Sequence, residues 1–81
     1  MKWFNMWFDY TKAIIETMIR NMMADIEVGY DPAGICIRNQ QECIAERQMA
    51  FNHQMDLFKE MDDVKINRWC YLDLKKRGVI E

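Results

Sequence analysis

From residue 3 to residue 28 apolar side chains recur every three or four positions with no glycine or proline among them, and this run constrains the fold more than any other feature. Trp3, Trp7, Tyr10, Ile14, Met18, Met22 and Ile26 form one stripe, which Phe4, Phe8, Ile15, Ile19 and Met23 widen. Asn5, Asp9, Lys12, Glu16 and Arg20 fill the opposite side. A period of 3.6 held over about seven turns specifies an amphipathic helix. Glu16 and Arg20 add an i,i+4 ion pair in the favourable order.

The stop is written as VGYDPAG. Gly29 is predicted to take a left-handed closing conformation, and Asp31 and Pro32 read as N-cap and first residue of the next helix. Tyr30 and Ile35 would staple that start. So short a turn, residues 29–31, implies an antiparallel hairpin. The second helix, residues 32–61, carries a narrower stripe. Ile37, Ile44, Phe51 and Phe58 are spaced by seven, Met55 reinforces them, and Gln41 and Gln48 dilute the seam. With residues 28 and 32 facing across the turn, position i of the first helix lies beside about 60 minus i of the second. That register brings Trp3, Phe4 and Trp7 near Leu57, Phe58 and Phe51.

Beyond Met61 two readings are open. Asp62 can cap a separate helix, residues 64–77, with Met61 and Ile66 as its staple and Gly78 as its end. Alternatively the second helix continues, since no glycine or proline lies between Ile35 and Arg77 and Ile66 and Trp69 prolong its stripe. Either way the class is all-α. At 81 residues the chain is read as one domain, residues 1–81, a long helical hairpin with a C-terminal helix. The architecture is a three-helix bundle or a helical dimer, and stripes too broad for one pairwise seam favour self-association.

Little points to catalysis. His53 is the sole histidine, and no phosphate-binding loop, nucleophile elbow or zinc-protease motif occurs. Pairing Cys43 or Cys70 with His53 is a sentence that any chain with those residues would permit. Cys36 and Cys43 sit two helical turns apart, about 10 Å of rise, too far to share one zinc. The expectation is a non-enzymatic protein with no metal, no cofactor and three buried structural thiols. An odd, unclustered set of cysteines also suits a reducing cytoplasmic setting. No signal peptide is expected, because Asn5 and Asp9 interrupt the apolar start. Asp9, Lys12, Glu16 and Arg20 break any apolar window of the ~20 residues needed to cross a bilayer. The mixed polar face does not suit a membrane surface either.

Charge is unevenly spread. Residues 1–63 hold six Lys/Arg against eleven Asp/Glu, whereas residues 64–81 hold five against two. The segment RWCYLDLKKRGVIE, with Arg68, Lys75, Lys76 and Arg77, resembles the helix-to-strand passage of winged-helix proteins. That resemblance implies a small DNA-binding regulator using these cations for phosphate contact, although no wing hairpin follows. The same cations also suit a helix C-terminus through its dipole.

Five of the first ten residues are aromatic: Trp3, Phe4, Trp7, Phe8 and Tyr10. They either close a core with Phe51, Phe58 and Trp69 or form a protein interface, where such residues are favoured. Met18, Met22 and Met23 carry the same ambiguity between core filler and adaptable groove. The function expected is a small protein–protein interaction module of adaptor or inhibitor type, of the kind phage and mobile elements encode. Its partner would be itself first and another protein second, with the aromatic opening as its surface.

Overall fold

A computed structural model describes residues 1–29 and 34–81, and these form three helices and no strand. They are α1 (Lys2–Val28), α2 (Ile35–Phe58) and α3 (Asp63–Lys76). The roles expected of Tyr30, Asp31 and Pro32 lie outside the described residues. Gly29 takes a φ of 66°, and its amide closes on the Asp25 and Ile26 carbonyls. α2 opens at Ile35 rather than at residue 32 because Gly34, at φ 74°, is left-handed and no right-handed helix runs through such a residue.

α2 and α3 are separate helices, and the break needs neither glycine nor proline. The last turn of α2 tightens, the amides of Lys59, Glu60 and Met61 donating to the carbonyls three residues back at 3.2, 3.2 and 3.0 Å. Asp62 is then extended, and its carboxylate accepts the Lys65 amide at 2.9 Å. A side chain that satisfies an orphan amide stabilises the new start over a continued helix. Ile66 is buried and Met61 packs on the same cluster, as a staple would place them. α3 ends in a Schellman pair: the Val79 amide donates to the Leu74 carbonyl at 3.0 Å and Gly78 to Lys75 at 3.1 Å.

α1 packs against both other helices. It is antiparallel to α2: the Phe4 and Phe58 rings lie 5.9 Å apart at one end, and Gln40 Nε2 donates to Asp25 Oδ2 at 2.8 Å near the other. α3 lies beside the opening turns of α1 and runs the same way, with Trp3 against Tyr71 and Trp7 bonded to Asp73. The core sits between them, formed by Trp7, Phe58, Ile66, Cys70 and Leu74.

The helices differ in length, and that difference shapes the molecule. α3 has 14 residues, about 21 Å, and α1 has 27, about 40 Å. α3 therefore covers only the first part of the hairpin. The rest projects as a two-helix arm in a molecule of 49 × 26 × 16 Å. Among the described residues no helix is long and apolar enough to cross a membrane.

Candidate interaction surfaces

The aromatic opening is turned inward. Trp7 is 2% exposed. Its ring stacks on Phe51 at 5.7 Å and meets Phe58 and Trp69 edge-on at 5.3 and 5.6 Å. Its indole Nε1 donates to Asp73 Oδ2 at 2.9 Å, and the Arg77 Nε donates to the same oxygen at 2.8 Å. Trp7 therefore has no face left for a partner, which corrects its assignment to an interface: α3 folds back and seals it. Trp3, Phe4, Phe8 and Tyr10 are half-buried and lean on the same cluster.

The hairpin register places Phe4 on Phe58 and Trp7 on Phe51 as anticipated, but Trp3 departs from it. Its ring meets Tyr71 of α3 at 4.9 Å, and Leu57, its expected neighbour, is 45% exposed. Asn67 fixes this geometry by accepting the Trp3 and Phe4 amides on Oδ1 at 2.8 and 3.2 Å. The start of α1, whose own N-cap Met1 offers no side-chain bond, is thus capped from another helix. No local pattern in the sequence could reveal Asn67 in that role.

The basic segment is less convergent than its composition suggests. At 100° per residue Arg68 and Lys75 share one direction on α3, while Lys76 and Arg77 point roughly 100° and 200° away from Lys75. Arg77 is tied to Asp73, and the Lys75 Nζ lies 6.0 Å from the Tyr71 ring centroid. Lys75 and Lys76 occupy the last turn of α3, where the helix dipole favours cations. Among the described residues no strand follows Gly78.

Of the thiols only Cys70 is buried; Cys36 and Cys43 are exposed, against expectation. Both lie roughly 80–100° around α2 from Ile44, off the stripe that faces α1. Burial first, and the Asp73 charge second, push the Cys70 thiol up to about 12, which keeps it protonated and unreactive. No group of three metal-ligating side chains gathers among the described residues. Where α3 ends on the hairpin, a cleft of about 270 Å³ opens between Ile14, Phe51 and Trp69, with Arg47 and Arg77 in its lining.

Apolar side chains stay exposed at Met49, Leu57, Val64 and Leu72 and in a row along the arm. Phe8 packs on Phe51 of α2. Ile15, Ile19 and Ile26 follow it by 7, 11 and 18 residues, returning to within about 20° of its direction. They lie on the flank of α1 turned away from α3, whose contacts run through Trp3 and Trp7. On the neighbouring edge of α2 stand Gln41 and Gln48, both exposed and too polar to seal that flank. Ile15, Ile19 and Met22 are half-buried, Met23 is 55% exposed and Ile26 48%. Ile15, Ile19 and Met23 were visible in the sequence as the widening of the first stripe and Met22 and Ile26 as part of the stripe itself, but their exposure depends on where α3 stops. No protein-family model, curated protein or solved structure matches the chain.

Proposed function

We propose that this chain is a non-enzymatic protein–protein interaction module that acts by occupying a surface, and that its docking face is the row Ile15, Ile19, Met22, Met23 and Ile26. The reading is carried by one observation: this row stays half open along the arm, beyond the end of α3. Burying apolar area against a partner returns about 25 cal/mol per Å², and the two methionines can repack around a facing surface. Self-association is the first use of such a face, capture of another protein the second, in a cytoplasmic setting. Nucleic acid is not among the proposed partners.

Sedimentation equilibrium on the wild type, Met23→Glu and Ile26→Glu tests this. Both positions are largely exposed, so each variant should keep its helicity and its stability to within about 0.5 kcal/mol. Association should weaken at least tenfold in each. Variants that associate as the wild type does would contradict the choice of face.

A further inference from the structure

We infer that the cleft between α2 and the last turns of α3 is a binding site for a small aromatic carboxylate, with its ring between Phe51 and Trp69 and its carboxylate on Arg47 and Arg77. The inference goes beyond the docking row, of which only Ile15 borders this cleft. The cleft is amphipathic along its length. On α2, Arg47 precedes Phe51 by four residues, and on α3, Arg77 follows Asp73 and Trp69 by four and eight. Each wall therefore carries a ring and a guanidinium along one side of its helix. Because α2 runs antiparallel to α1 and α3 parallel to it, both walls read from ring to guanidinium in the same direction, toward the arm. Phe4 on Phe58 and Trp7 on Phe51 set Arg47 beside about residue 13 of α1. The contacts of Trp3 and Trp7 with Asn67, Trp69, Tyr71 and Asp73 set Arg77 beside about residue 12. The two guanidiniums thus stand at one level, about one helical turn beyond the rings, with Ile14 lining the cleft there.

Charge and size select the ligand. Asp73 is the carboxylate in the lining, and its Oδ2 already accepts the Trp7 indole at 2.9 Å and the Arg77 Nε at 2.8 Å. Arg77 keeps its two terminal amino groups for another acceptor, and among the described residues no carboxylate pairs with Arg47. Two guanidiniums against one carboxylate leave one positive charge. A single carboxylate on the ligand neutralises it and offers two oxygens to a guanidinium fork. Ile14, Phe51 and Trp69 are half-buried, so a flat ring can cover what they still expose and gain an aromatic contact on either wall. The volume of about 270 Å³ lies just below the ~300 Å³ at which pockets for drug-sized ligands begin, which suits one ring system with a short acidic arm.

Titration calorimetry of the full chain with indolepropionate, indolepropionamide and tryptamine, which share a ring and differ in charge, tests the site. Indolepropionate should bind about tenfold or more tightly than either of the others. Arg47→Ala should weaken it about tenfold and erase its advantage over the amide. Ala50→Phe, which fills the cleft from the α2 wall, should abolish binding. Both positions are exposed, so circular dichroism should find each variant folded as the wild type is. In heteronuclear NMR the Trp69 indole signal should move with added indolepropionate while the amides from Met22 to Ile26 stay in place. Binding that ignores the ligand's charge, survives both substitutions or shifts signals elsewhere would overturn the assignment. So would the absence of saturable binding for both indolepropionate and phenylpropionate at millimolar concentration.

Discussion

The two ends of the hairpin are equally apolar in sequence and differ in what covers them. At the aromatic end α3 adds a third side, and Trp7, Phe58, Ile66, Cys70 and Leu74 are sealed. Along the arm, Ile44 is the buried residue among those described, and the helices meet partly through the Asp25–Gln40 hydrogen bond. Among the described residues no donor reaches the buried Gln40 Oε1. The arm therefore seals fewer apolar side chains than the aromatic end does. A helical stripe thus says that a face will be buried, while a third element decides which part of it is buried within the chain.

The sharpest way to break this contrast is to truncate Trp7. Trp7→Ala removes the ring that α2 and α3 share and should lose about 3–5 kcal/mol, a large share of the ~5–15 kcal/mol typical of a domain. Urea denaturation should find it unfolded or close to it, whereas Trp3→Ala should be milder because Trp3 is only half-buried. Should Trp7→Ala melt with the wild type, the aromatic end is not the core. Next in size is Asp73→Ala, which strands the Trp7 indole N–H and frees Arg77. A loss of about 1–3 kcal/mol is expected, read from the same denaturation curve. Asn67→Ala uncaps α1 from outside and should lose about 1 kcal/mol, as an N-cap deletion does.

Alkaline pH probes the same end. The folded-state value of Cys70, near 12, lies above its ordinary 9.0, so its contribution is fully present below about pH 9 and is lost as pH rises from there toward 12. The thermal midpoint should therefore fall with pH above 9, and Cys70→Ala should flatten that fall. In the arm, by contrast, Met23→Ala should leave the monomer's stability unchanged to within about 0.5 kcal/mol.

Much of this was legible in the sequence because it is local. The period of α1, the left-handed Gly29, the cap at Asp62 and the Phe4–Phe58 register all come from residues within a turn of one another or from counting across the hairpin. Asn67 and Asp73 were not legible, because they act on Trp3, Phe4 and Trp7 from more than sixty residues away. The aromatic opening drew the interface expectation for a related reason. Aromatic residues announce large apolar area, but only the return of α3 assigns that area to the core. The open row was present all along as Ile15, Ile19, Met23 and Ile26, and the shortness of α3 is what leaves it open.

Hydrogen exchange measured by mass spectrometry, at a dilution where the chain is monomeric, reads both ends of α1 in one experiment. Amides in the turn after Trp7 and in the interior of α3 should exchange only through global unfolding, with protection that falls steeply with added urea. Amides from Met18 to Ile26 should exchange through a smaller opening, orders of magnitude faster and less sensitive to urea. Uniform protection along the whole of α1 would mean that the arm is as stable as the aromatic end, and would contradict the division of the hairpin into a sealed core and an open docking face.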